Sequence, residues 1–229
     1  MTLSNLKKEL QQLKNPEKAK ILSNFFKTGK GQYGEGDIFL GIPVGDSRAI
    51  TKKYKDIQFS DIKKLLLSRI HEERLVALLI LVDNYQKTFD KKIIDFYLSH
   101  TKYVNNWDLV DLTAPKLLGP YLLDKDRSVL YKLANSSDLW EKRISVISTF
   151  VFIRNGEFED TFKISEILLK DKHDLIHKAV GWMLREVGKK DQKEEERFLK
   201  KYYKKMPRTM LRYAIERFDE DKRKFYMKK

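Results

Sequence analysis

Apolar residues return every three or four positions along almost the whole chain, as at Leu65, Leu66 and Ile70 and again at Ile164, Ile167 and Leu168. That is the period of a helix with one buried face, and no convincing alternating strand pattern competes with it. The period breaks at Asn15-Pro16, across the glycines from Gly29 to Gly45, and at Ser60-Asp61, Asn105-Asn106, Gly119-Pro120, Ser136-Ser137, Asn155-Gly156 and Met206-Pro207. These start and stop signals divide the chain into about a dozen helices. The run from Leu75 to Val82 is apolar on every side, which places its helix between neighbours in the core. Helix pairs recurring over roughly 35 to 45 residues predict an all-α, single-domain α-solenoid of HEAT-like repeats spanning residues 1–229, each pair burying its face on the next. With 229 residues and 41% apolar content, one domain is the simplest expectation.

Charge narrows the partners. The 47 Lys and Arg exceed the 33 Asp and Glu, a net charge of +14 that favours encounter with a polyanion, nucleic acid first. From Lys189 to Lys229 there are 16 Lys and Arg against 8 Asp and Glu, so eight of the fourteen surplus charges lie at the end of the chain. Phe198, Tyr202, Tyr203, Tyr213, Phe218, Phe225 and Tyr226 are interspersed among them, as in amphipathic helices and unlike a disordered basic tail. A folded basic surface is expected there, with an ordinary solvated helix face as the alternative. The absence of cysteine excludes disulfides, thiolate metal sites and a Cys nucleophile. The first residues, MTLSNLKKELQQLKN, lack the apolar segment of a signal peptide or membrane span, so a cytoplasmic protein is expected. The glycine-rich stretch Lys27 to Asp37 lacks the Gly-Lys-Ser/Thr ending and preceding strand of a P-loop, which argues against ATP binding and leaves a conformational role.

Residues capable of chemistry occur in four blocks. In Asn105-Asn106-Trp107-Asp108-Leu109-Val110-Asp111, Trp107 and Asp111 stand four apart, one turn along the same helix face, where they can address one ligand together. The structural alternative makes Asn106 an N-cap, with the carboxylates drawn to the positive helix end, which accounts for Asp108 better than Asp111. Trp140 with Arg143, and Trp182 with Arg185, repeat a Trp-to-Arg spacing of three. Trp140 has apolar neighbours that suit the core, and a structural ion pair remains open for Arg143. For Trp182, a plain core position remains open as well, although Ala179 and Gly181 beside it would let another surface come close.

Together, Asn106 to Asp111, Trp140-Glu141-Lys142-Arg143-Ile144, Ala179 to Glu186 and Pro207 to Ala214 resemble the AlkD-type DNA alkylation-repair glycosylases, in an order and spacing that hold from Phe26 to Phe218. The resemblance implies a HEAT-like solenoid with a concave basic DNA-binding face, acting as a monomer. It assigns Trp107, Trp182 and Asp111 to the deoxyribose of a damaged nucleotide. Arg143 is assigned to the backbone near the lesion, and Phe26, as the nearest counterpart of an N-terminal aromatic, to DNA; Phe25 is its rival. Arg185, Lys189, Lys190, Arg208 and Arg212 are the expected further DNA-binding residues.

The implied activity is removal of cationic N3- or N7-alkylated purines, of the 3-methyladenine and 7-methylguanine type, from double-stranded DNA in base excision repair. It needs no metal or cofactor, involves no membrane, and leaves the base largely stacked instead of flipped. A cationic base leaves as a neutral molecule, so no general acid is required, and neutral lesions are expected to be poor substrates. A non-catalytic HEAT-like module recognising damaged or branched DNA is the alternative, and a scaffold for protein or RNA a further one; neither needs the set of Trp107, Asp111, Arg143 and Trp182.

Overall fold

The structure is a computed structural model that describes residues 1–228. It is all-α, as the period predicts: among the described residues there is no strand, only an isolated parallel bridge between Ile38 and Ile70. The chain resolves into two compact units, Met1–Thr113 and Ala114–Lys229.

In the first unit the order is α1 (Leu3–Gln12), α2 (Pro16–Phe25), α3 (Val44–Lys53), α4 (Phe59–Leu66), α5 (His71–Thr88), α6 (Lys91–Ser99), a 3-10 turn (Thr101–Tyr103) and the start of α7 (Trp107–Tyr121). Local signals fix several ends. Asn15 caps α2 by accepting the Lys18 N–H at 3.0 Å, and Pro16 follows in the first turn, where its missing N–H costs nothing. The core helix is α5: every residue from Leu75 to Val82 is at most 4% exposed, with α3 and α4 packed on it. Each such buried aliphatic side chain contributes about 1.5–3 kcal/mol.

The second unit holds α8 (Ser128–Ala134), α9 (Leu139–Ser148), α10 (Phe150–Arg154), α11 (Glu159–Leu168), α12 (Asp174–Lys190), α13 (Gln192–Tyr202), α14 (Arg208–Ala214), a 3-10 turn (Ile215–Arg217) and α15 (Glu220–Met227). Its centre is α12, which packs on α9, α13 and α14. The terminal basic segment is folded: Phe198, Tyr202, Phe218 and Tyr226 are buried while Lys200, Lys201, Lys204, Lys205, Arg208 and Arg212 are exposed.

Two expected breaks fall elsewhere. Ser60-Asp61 lies inside the first turn of α4, where an acidic residue suits the helix dipole. Gly119-Pro120 lies within α7, which stays helical through both Pro115 and Pro120 to Tyr121. Tertiary packing of Leu117 and Leu118, both fully buried, outweighs the local breaker.

Candidate active site

The start of α7 places the two leading residues as their spacing requires. Asn106, fully buried, accepts the Trp107 N–H at 2.8 Å on its Oδ1 and so fixes the first turn. Trp107 and Asp111 follow one turn apart, both half-buried. Pro115, four residues beyond Asp111, cannot donate the helical bond to the Asp111 carbonyl, so the regular ladder is broken at that residue.

Beneath Trp107 lies a stack of rings. Phe26 lies nearly parallel to Trp107, with centroids 5.1 Å apart, and nearly parallel to Phe39 at 5.0 Å. Phe39 in turn lies on His71 at 4.5 Å. Phe26 is only 7% exposed, whereas Phe25 is 60% exposed and meets Trp107 edge-on at 5.9 Å. Of the two candidates, Phe26 therefore supports Trp107 from within, and Phe25 is the ring that faces solvent. The glycine-rich loop is tied to this stack by Gly34, whose N–H donates to the Lys27 carbonyl. A Cβ at Gly34 would stand 2.4 Å from the Phe26 carbonyl oxygen, so only glycine allows the loop to lie this close.

A buried charged cluster closes the base of the stack, and nothing in the local pattern announced it. His71, Glu72, Glu73 and Arg74 open α5 and are all at most 3% exposed. Glu72 accepts the backbone N–H groups of Leu40, Gly41 and Ile42 at 2.8–3.2 Å, holding the end of the loop. Arg74 donates to Asp37 at 2.6 Å and to the Ser68 carbonyl at 2.8 Å. His71 Nε2 stands 2.8 Å from Asp108 on α7, and its Nδ1 is 3.5 Å from Asp37. Burial pulls the His71 pKa down, but the Asp108 and Asp37 carboxylates more than reverse this and hold it at about 8, so the ring is an imidazolium at neutral pH. Asp108 thus has a partner beyond the helix dipole. The bridge between Ile38 and Ile70 brings Asp37 and Phe39 to His71, whose N–H donates to the Ile38 carbonyl at 2.9 Å.

In the second unit, Trp182 is half-buried on α12, its indole N–H donating to Glu186 at 3.1 Å, and its ring is tilted against Phe150 at 6.3 Å. A Cβ on the preceding Gly181 would be 2.5 Å from the Met210 carbonyl oxygen and from the Tyr213 Cβ, so glycine lets α14 close on α12. Arg143 is 5% exposed and donates to the Leu175 carbonyl in the first turn of α12 at 2.7 Å. Arg185 pairs with Glu216, and Lys189 with Glu186. Lys190, Arg208 and Arg212 are exposed, Arg208 donating to the Met227 carbonyl. A groove lined by Lys142 of α9 and by Lys170, Asp171, Lys172 and His173 of the connection between α11 and α12, with Lys142 paired to Asp171, is a feature that the sequence did not single out, because its residues are distant along the chain.

Among the described residues no cluster of His, Asp and Glu is placed to hold a metal ion, and no helix is long and apolar enough to cross a membrane. An indole face and a carboxylate one turn apart can stabilise positive charge developing on a bound group. A family model described as DNA alkylation repair enzyme matches residues 6–218. Among solved structures, a predicted DNA alkylation repair enzyme from Enterococcus faecalis is similar with a TM-score of 0.70 and 19% identity, over 90% of this chain and 97% of that one. No curated relative matches by sequence.

Proposed function

Because the chain belongs to the DNA alkylation repair enzyme family, we propose that it is a DNA glycosylase that excises cationic N3- or N7-alkylated purines from duplex DNA. The observation that carries this reading is Trp107 and Asp111 one turn apart on α7, with the Trp107 ring backed by Phe26. Breaking the C1′–N9 bond sends its electron pair to the base, which leaves neutral because it was already cationic. The sugar passes through an oxocarbenium-like state, and water then adds to C1′ and releases a proton. Asp111 supplies negative charge to that state and orients the water, while the Trp107 face adds its electron density. On the same reading Trp182 offers a second indole face to the deoxyribose. The exposed cations of the terminal segment hold phosphates, and the base stays stacked. Substrates are then selected by charge and lability more than by shape.

The test is release of base from duplex DNA bearing 7-methylguanine, read as strand cleavage after alkali. Wild-type protein is expected to leave abasic sites. Asp111→Asn is expected to keep DNA affinity and slow single-turnover excision by about 10²-fold or more. Binding without excision by the wild type would make the protein a non-catalytic module for damaged or branched DNA.

A further inference from the structure

We propose that His71 is a positioning residue for this site, a buried ring that holds the Trp107 ring and the first turn of α7 in place. The proposal rests on the glycosylase reading only for the identity of the reaction that it tunes. Two contacts converge on His71. Its Nε2 is tied at 2.8 Å to Asp108, the residue next to Trp107 and three before Asp111, so α5 anchors α7 at the turn that bears both. Its ring is also the floor of the stack, lying on Phe39 at 4.5 Å and near Phe26 at 5.2 Å, and Phe26 carries Trp107.

The surrounding charges favour this state. The loop presents Asp37, α7 presents Asp108, and α5 itself presents Arg74, on which Glu72 also acts; the residue that caps the end of α2 contributes the Phe26 ring. With His71 protonated, its charge and that of Arg74 face the Asp37 and Asp108 carboxylates, while Glu72 is held by the backbone N–H groups of Leu40, Gly41 and Ile42. Loss of that proton adds a further unpaired negative charge away from water, which rearrangement around Asp108 would relieve. The cationic ring is also attracted to the Phe39 face. A neutral side chain at position 71 loses the cation and with it the ionic part of the tether to Asp108.

The test follows Trp107 directly. In protein labelled with 5-fluorotryptophan, the Trp107 fluorine resonance, assigned by Trp107→Phe, is expected to shift with a midpoint near pH 8. That transition should vanish in His71→Gln, and in Asp108→Asn it should move to lower pH, which keeps the test open if His71→Gln does not fold. At pH 7, His71→Gln should slow excision about tenfold in the wild-type background and add little to Asp111→Asn, as residues acting through one unit are not additive. A Trp107 resonance indifferent to pH between 6.5 and 9.5 would overturn the proposal. So would excision by His71→Gln at the wild-type rate, or a loss that simply multiplies with that of Asp111→Asn. If the wild type releases no base, the glycosylase reading fails on its own, and the fluorine titration still decides the role of His71.

Discussion

The Trp107 ring rests on that of Phe26 with planes 19° from parallel. Since Phe26 is buried and Phe25 is not, the two adjacent rings separate two roles. Phe26→Ala removes a core ring and is expected to cost about 3–5 kcal/mol in urea unfolding while freeing Trp107 to tilt. Phe25→Ala should leave stability within about 0.5 kcal/mol, as exposed substitutions do. If instead Phe26→Ala lowered only DNA affinity, with stability intact, Phe26 would be a DNA contact and its support of Trp107 incidental.

Gly181 makes a comparable demand in the second unit. An added Cβ would stand so close to the Met210 carbonyl and the Tyr213 Cβ that Gly181→Ala must push α14 away from α12. The expected cost is about 1–3 kcal/mol, seen in thermal unfolding. Because Trp182 is the next residue, its fluorescence should change too. Gly45→Ala is the control, since a Cβ there meets nothing within 4 Å.

These residues show what could be read from sequence. Asn15-Pro16 and Asn105-Asn106 mark helix starts because a cap bonds its own neighbours, and the Leu75–Val82 run is core because no other environment suits it. The spacing of Trp107 and Asp111 needs only one helix. The charged opening of α5 was not legible: His71 finds Asp108 across 37 positions, and four charged residues ahead of an apolar run ordinarily read as a solvated first turn. Gly119-Pro120 misleads for the opposite reason, since a strong local breaker is overruled by Leu117 and Leu118 immediately before it, both fully buried. The bond from Arg143 to the Leu175 carbonyl, which ties α9 to α12, was not legible either, because the two residues stand 32 positions apart.

Stability should fall as pH rises through neutrality, for two separable reasons. His71 is raised from 6.5 to about 8, so the native state keeps a proton that the unfolded chain has lost. Its contribution is fully present below pH 6.5 and is lost as pH rises through about 8, on the order of 2 kcal/mol in all. Glu195 is raised from 4.5 to about 9, chiefly by burial and then by Glu196, partly offset by Arg185. Because the native state keeps a proton that the unfolded chain has lost, stability falls as pH rises between those two values. Urea unfolding at a series of pH values should show His71→Gln flattening the curve only between 6.5 and 8, and Glu195→Gln flattening it over the wider range. An unchanged slope in Glu195→Gln would mean that its carboxyl is already ionised in the fold.

Binding to undamaged duplex should weaken steeply with salt. Each phosphate contact contributes about −0.9 to the logarithmic slope, so four contacts give about −3.6. Lys190, Arg208 and Arg212 are exposed and suited to this, whereas Arg143 is buried against Leu175. Replacing Lys190 or Arg212 by Ala should therefore make the slope shallower by about one contact's share, with unfolding unaffected. Arg143→Ala should lower thermal stability. A flat salt dependence would reduce the basic surface to a solubility device.

The last expectation separates the indole ring from its N–H. The Trp182 N–H is already engaged by Glu186, so what it can offer a sugar is a ring face, and the Trp107 ring is likewise held by stacking on Phe26. Trp107→Phe and Trp182→Phe should then be milder than the corresponding Ala variants in single-turnover excision of 7-methylguanine, because phenylalanine keeps an electron-rich face. Neither residue is assigned to measure base size, so each Ala variant should slow small and bulky cationic lesions alike and preserve their ranking. Neutral hypoxanthine should be released far more slowly than 7-methylguanine by every variant, since its departure needs a proton that this site has no assigned group to supply. Should Trp182→Ala reverse the ranking of small and bulky lesions, or should hypoxanthine leave as fast as 7-methylguanine, recognition would reside in a base-binding pocket, and the sugar-centred mechanism would be wrong.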